Sequence, residues 1–466
     1  MKRVLLRILG AGVVAFAVIQ FVRPGIPQPA VAAAAIAAAP AAEIDAPPEV
    51  RAVLRKDCYN CHSDEHRLAW FDELQPAYWL VRKDILDARA RLNFSTIGAK
   101  PEAAQKGALY EAVAMMMLGA MPLPRYTLLH SESKVSAEDL ETLKKYLSPW
   151  SSPIPHAAAG GTSSADEQPL PVAAKVDQAR PAPNGLPYDG SWIHWKLLAV
   201  TDRGDNRQFR MILGNDIAVT AAREGKVSPW PEGARFAKAA WFEEQTPDGL
   251  IFPKKFWQVE LMVKGAEQYQ ATEGWGWGRW RGLELMPYGK DATFVNECTG
   301  CHQPLRGNDY VYTIPFSASG ATVSREREVL NNRAVAYPKG TPFDPLRWTP
   351  ITVYTDSRKA TISVLFAREA EKVGGGSSSA ASANAGDRAD LALVTWTERD
   401  DPHWFGARMP DKVISVEAVH VNQGHAEYQS FSAAGSAAGD ASAAAAAERS
   451  RFISRLRAVQ VPELAR

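Results

Sequence analysis

The first strong pattern along the chain is an apolar run, Ile8 to Val22, behind Lys2, Arg3 and Arg7. A basic segment followed by an apolar one is the layout of an export signal. The run holds 15 residues, short of the ~20 a membrane-spanning helix needs. Small residues follow from Ala30 to Ala42, so a cleaved signal and an uncleaved membrane tether both fit, and either implies the periplasm. Beyond them the apolar spacing turns helical. Val50, Val53 and Leu54 form one stripe, Pro76 opens a second helix carrying Leu80, Ile85 and Leu86, and a third runs from about Glu102 to Leu118. Ser136 with Asp139 three residues on is close to a capping box, ahead of Leu140, Leu143 and Leu147 on one face. Residues 151–185 are rich in Ala, Gly, Ser and Pro without periodicity, which predicts a linker. The texture then changes to short β-type runs: Trp195–Val200, Phe209–Leu213, Ala237–Phe242 and Phe256–Val263, with Asn215–Arg223 as an amphipathic helix among them.

Composition narrows the class. The 466 residues include 53 Lys plus Arg against 52 Asp plus Glu, a net charge of +1, and 46% are apolar. Such a balance gives no basic surface for nucleic acid, and the apolar share supports real cores. Only four residues are cysteine, and they form two copies of one pattern: Cys58-Tyr59-Asn60-Cys61-His62 and Cys298-Thr299-Gly300-Cys301-His302. In an exported chain, Cys-x-x-Cys-His predicts covalent attachment of c-type haem. Two thiols one helical turn apart can add to two vinyl groups on one porphyrin edge, which places the next His under the iron. A redox pair does not require that His, and zinc would need the two copies, 240 residues apart, to meet. The expectation is two covalently attached haems c, with His62 and His302 as iron ligands.

Residues 48–150 resemble the small haem-binding domain family of exported bacterial proteins. The resemblance rests on the apolar segment ending in Arg23-Pro24, Cys58-Tyr59-Asn60-Cys61-His62-Ser63, Trp79, Asn93-Phe94-Ser95, and Gly119-Ala120-Met121-Pro122-Leu123-Pro124 with Tyr126. A thioether backed by proline makes a rigid sixth ligand, which nominates Met121, with His130 as runner-up; Met/His ligation raises the haem potential. Residues 186–316 resemble the cytochrome P-460 family, which includes the cytochromes c′-beta. The matching residues are Phe209-Arg210-Met211-Ile212-Leu213-Gly214-Asn215-Asp216-Ile217-Ala218, Phe236-Ala237-Lys238, Glu260 to Lys264, Gly274-Trp275-Gly276-Trp277-Gly278 and the second haem motif. That resemblance implies a β-sheet dimer with a five-coordinate haem, open on its distal side. It also implies either hydroxylamine oxidation with a lysine linked to the porphyrin, or binding of nitric oxide or carbon monoxide under an apolar cap. Lys238 falls at the cross-linking position and Arg210 at that of a distal polar group; Phe209 and Trp241 could give an apolar cap, although Trp241, which recurs as Trp396, reads better as structural packing.

The last third reads as a degenerate copy of this domain. Trp195, Leu198 and Val200 recur as Trp348, Ile351 and Val353, and Lys238-Ala-Ala-Trp241 as Leu393-Val-Thr-Trp396. Pro253 to Glu260 recurs as Pro410 to Glu417, and matching Leu213 to Leu365 sets Arg210 against Ile362 and Ala218 against Ala370. The copy has no cysteine, its main insertion is Gly374–Gly386, and both charges, Arg210 and Lys238, vanish with the motif. The expected order is a signal or anchor (1–23), a linker (24–47), a helical haem-binding domain (48–150), a linker (151–185), a β-sheet-rich haem domain (186–316), its haem-free repeat (317–432) and an Ala-rich tail (433–466). The expected protein is a dihaem cytochrome acting on a small redox or gas ligand, hydroxylamine or nitric oxide, with a redox partner protein. A gas sensor or scavenger and a plain electron carrier are the alternatives. The repeat raises an internal pseudo-dimer beside an ordinary dimer.

Overall fold

The computed structural model describes residues 2–27, 43–151, 179–317, 331–368, 388–422, 425–433 and 442–462. Most of the linkers, Ala370 and the tract 374–386 lie outside them. The chain divides into two compact units, Met1–Pro149 and Trp150–Arg466.

The first unit is helical: α1 (Lys2–Ile19), α2 (Pro48–Asp57), α3 (Tyr59–His62), α4 (Ala77–Arg91), α5 (Glu102–Met117) and α6 (Ala137–Ser151). Val50, Val53 and Leu54 of α2, Ile85 of α4 and Leu143 and Leu147 of α6 are buried as their spacing predicts, whereas Leu80 is exposed. The capping box closes: the Asp139 amide donates to Ser136 Oγ at 3.0 Å, and the Ser136 amide to Asp139 Oδ2 at 3.3 Å. Ser136→Ala is expected to cost about 1 kcal/mol, read as a small fall in the first unit's melting temperature.

Residues expected to begin a linker are instead strapped to α4. Tyr78 Oη donates to the Pro24 carbonyl at 2.7 Å, Trp79 Nε1 to Val22 at 2.9 Å, Arg82 Nε to Gly25 at 2.9 Å and Arg89 Nη1 to Pro27 at 3.0 Å. The strap leaves α1 with Val4, Ile8, Val13 and Val18 exposed. Among the described residues no helix is long and apolar enough to cross a membrane.

The second unit opens with β1 (Lys196–Arg203), β2 (Gln208–Gly214), α7 (Asp216–Glu224), β3 (Arg235–Gln245), β4 (Leu250–Lys264), β5 (Trp275–Arg281) and β6 (Met286–Pro287). The second cysteine motif ends α8 (Val295–His302), and two short strands, β7 (Phe316–Ser317) and β8 (Val335–Ala336), pair in parallel. There follow β9 (Thr349–Asp356), β10 (Thr361–Arg368), β11 (Arg388–Asp400), β12 (Ala407–Asn422), β13 (His425–Ser432) and α9 (Ala443–Arg455). The Ala-rich tail thus contains a helix, capped by Ser442, whose Oγ accepts from the Ala445 amide at 3.3 Å.

Both halves are antiparallel meanders, β1-β2-β3-β4-β5 and β9-β10-β11-β12-β13. They join reciprocally. The end of β1 pairs with the start of β12 (Asp202 opposite Arg408), and the start of β4 with the end of β9 (Leu250 opposite Asp356). With β3 also paired to β4, eight strands close into a barrel-like circuit that leaves no edge among them. Trp241 and Trp396 each sit at the same register break of their hairpins. Both are fully buried, and their indoles donate to the main-chain carbonyls of Gln460 and Ala336.

Ladder partners correct one alignment. Phe209 faces Trp241 as Ile362 faces Trp396, and Ile212 faces Lys238 as Leu365 faces Leu393. Arg210 therefore corresponds to Ser363, not Ile362. Matching Leu213 to Leu365 by side-chain type slips the strand by one residue, which swaps its faces.

Candidate functional site

Strand alternation puts one row of side chains on the face of β1–β5 that lies against α8. Thr201 and Arg203 come from β1, Arg210 and Ile212 from β2, Phe236 and Lys238 from β3, and Gln258, Glu260 and Met262 from β4. Trp277, Arg279 and Arg281 complete it from β5. Gly276 and Gly278 serve the other face: a Cβ there would come within 2.5 Å of Tyr269 and of Trp280 respectively, which explains their alternation with Trp275 and Trp277. The row and Cys298, Cys301 and His302 line one cavity of about 410 Å³.

His302 is held by its neighbours. Its Nδ1 lies 2.6 Å from the Tyr310 carbonyl, and its ring packs at 4.6 Å from Trp277 and 5.0 Å from Tyr312 between centroids. Burial pushes its pKa down to about 4, so Nε2 carries a free lone pair at neutral pH. Burial also pushes the Cys298 thiol up to about 11, opposite to a reactive redox pair.

Glu260 is the hub of the polar row. It pairs with Lys238, with Arg279 Nε at 3.0 Å, and accepts from Gln258 Nε2 at 2.6 Å. Burial alone would raise its pKa, yet Lys238 and Arg279 hold it at about 2. Lys238 is itself shifted down, by burial first and by Arg210 and Arg279, against the pull of Glu260. One carboxylate therefore serves two cations. Arg210 Nε is buried without a hydrogen-bond partner, and so is Arg281 Nε.

The first motif is built the same way in a different fold. His62 Nδ1 lies 3.0 Å from the Leu92 carbonyl, the chain turn before Phe94, whose amide donates to the His62 carbonyl at 2.7 Å. A cavity of about 340 Å³ is lined by Cys58, Cys61, His62, Phe94, Met115, Met116, Met121 and Pro122. Burial pushes Cys58 up to about 12 and Cys61 up to about 11, and lowers His62. Each cavity thus offers two thiols, one imidazole nitrogen and apolar side chains, a donor set that fits haem. Residues 14–149 match the family model of the haem-binding domain, and residues 190–313 match that of cytochrome P460.

The chain carries a haem-binding domain followed by a cytochrome P460 domain. No curated protein matches it. In the haem-binding domain Met121 lines the cavity, while His130 stacks on Tyr126 at 3.9 Å and binds Asp72 through Nε2 at 3.1 Å. The runner-up ligand is a buried structural histidine. In the P460 domain Arg210 and Lys238 share the cavity with His302, but Phe209 and Trp241 point into the core on the opposite face. They cannot cap the site; its apolar wall is Ile212, Phe236, Trp257, Met262 and Trp277. Sequence reasoning missed Arg279 and undervalued Glu260. The available signal was Arg279 and Arg281 at alternate positions of β5, and Glu260 alone among apolar residues of β4.

The repeat shows what became of the equivalent face. Its Leu365, Leu393 and Val419 pack against Ile453 and Phe452 of α9. Glu417, at the place of Glu260, binds Arg449 of that helix bidentately at 2.8 and 2.6 Å and accepts from Tyr428 Oη at 2.6 Å. A glutamate persists in both halves because each supplies it with a cationic partner.

Proposed function

We propose that the chain is an exported dihaem c-type cytochrome. Cys58, Cys61 and His62 hold one haem, with Met121 as sixth ligand, and Cys298, Cys301 and His302 hold the other. Haem at the second motif supplies the redox centre for a small nitrogen species, hydroxylamine or nitric oxide, and haem at the first supplies electron transfer to a partner protein. The observation that carries this is the half-buried row Arg210, Lys238, Glu260 and Arg279 in one cavity with the second motif. A plain electron carrier has no use for four charged groups on that face, and burying them is costly. Arg210 donates to a bound polar ligand, Glu260 accepts from one, and Lys238 stands at the place of the porphyrin-linked lysine. The reading also makes α1 and its strap either a membrane tether or the remnant of a signal.

The test is Lys238→Leu, the residue the repeat carries. The natural protein is expected to show one red-shifted ferrous band beside an ordinary c-type band, and the variant two ordinary bands with hydroxylamine turnover lost. Two ordinary bands in the natural protein would rule out the linked lysine, and unchanged turnover in the variant would rule out its role.

A further inference from the structure

The cavity of the P460 domain has a wall that does not come from that domain. Asp401 and Trp404, in the loop between β11 and β12, and Met409 at the start of β12 line it together with Arg203 and Arg210. The loop is firmly seated. His403 is buried, with Nδ1 2.6 Å from the Tyr312 carbonyl and Nε2 2.8 Å from Asn332 Oδ1. Tyr312 in turn donates to the Cys301 carbonyl at 2.8 Å. The loop is therefore tied to the backbone that presents His302.

Trp404 engages a charged group at the tip of the β1–β2 hairpin. The Arg203 guanidinium lies 4.1 Å from its ring centroid, and Trp404 Nε1 donates to Asp205 Oδ2 at 3.3 Å. Arg203 binds Asp205 bidentately, both contacts at 2.5 Å, and the two side chains are almost fully buried. Arg210 sits on the same hairpin, where the ladder pairs Thr201 with Arg210 and Arg203 with Gln208. Its contacts are weak and neutral: Gln208 Oε1 at 3.4 Å, and Asn206 Oδ1 at 3.1 Å once that amide is turned to satisfy both its ends. The carboxylates that act on Arg210 are Asp205 and Glu260; Glu260 is engaged by Lys238 and Arg279, and Trp404 and Arg203 keep Asp205 occupied. Asp401 is engaged elsewhere, accepting from the His403 amide at 2.8 Å.

We propose that Trp404 of the cysteine-free half is a positioning residue for the haem pocket: it fixes Asp205 on Arg203 and so leaves Arg210 an unneutralised cation for a carboxylate or small oxyanion. This rests on the second motif holding haem. The anion has two sources, a free ligand or a carboxylate of the haem itself, and the test separates them. Trp404→Phe keeps a ring over Arg203 but removes the donor to Asp205. The ferric full-length protein is titrated with nitrite, followed in the visible spectrum, and the midpoint potential of that haem is measured.

For a free anion, Trp404→Phe weakens nitrite binding about tenfold, the loss of a charge-assisted contact, and Asp205→Asn in the same background restores it. For a haem carboxylate, nitrite affinity stays and the midpoint potential falls instead, again reversed by Asp205→Asn. Rescue by that second change is what a merely structural role of Trp404 would not give. Unchanged affinity and potential with both haems present overturn this assignment alone; a protein with no haem at the second motif overturns it together with the proposed function.

Discussion

Replacing Cys298 and Cys301 by serine together with Lys238→Leu is expected to halve the haem that survives denaturation, from two groups per chain to one. The two motifs lie in separate compact units, each with its own cavity, its own imidazole and its own backbone carbonyl on Nδ1. Loss of thioethers at one leaves the other intact. Burial of His302 between Trp277 and Tyr312 would still let non-covalent haem bind, so the measurement is haem per chain after unfolding, by intact mass. The matching Cys58→Ser, Cys61→Ser pair removes the other half. With Lys238 left in place the two serine changes alone should keep a denatured count of two, a count of one there would rule out the linked lysine, and a count of one in the natural protein would end the dihaem reading.

The second large effect belongs to Glu260. Glu260→Gln leaves Lys238 and Arg279 facing each other without their shared anion. Removing one member of a buried ion pair costs about 3–5 kcal/mol. Lys238 keeps 29% and Arg279 19% of their side-chain surface accessible, which points to the lower end, about 3 kcal/mol. For a unit spanning Trp150–Arg466 that is a fall of roughly 4–5 °C in melting temperature. Glu417→Gln in the repeat should cost less, because Arg449 is 40% exposed and can turn to water. The pH dependence has a definite sign. The folded pKa of Glu260 is about 2, below the ~4.3 of an unfolded glutamate. Its contribution is therefore complete above about pH 4.3 and is lost as pH falls toward 2. Acid melting curves of the natural protein and Glu260→Gln should converge over that interval; parallel curves would refute the pairing.

Much of this was legible in the residues. Cys-x-x-Cys-His is a local motif whose spacing is its chemistry, and both cavities form around it. The meander and its repeat were readable because strand order follows chain order, so local similarity carries topology. Three things were not. The face of a strand depends on a register that one misplaced Leu365 can shift, as it did for Arg210. Glu260 looked structural because it persists in the repeat, and only the structure shows that its cations come from Lys238 and Arg279 in one half and from Arg449 in the other. The wall made by Trp404 arises from contacts about 200 residues apart in sequence, such as that with Asp205, for which periodicity has no signal.

The reciprocal joining of the two meanders has an evolutionary consequence. In a symmetric dimer every substitution is written twice, so neither copy can change its cofactor face without the other changing too. With both meanders on one chain, that constraint is lifted. One face could keep Lys238 and its motif while the other exchanged them for Leu393 and a helix of its own. Its connecting loops were then free to drift toward the neighbour's pocket. Two meanders on one chain are free to differ, and Trp404 stands in the one that carries no cysteine.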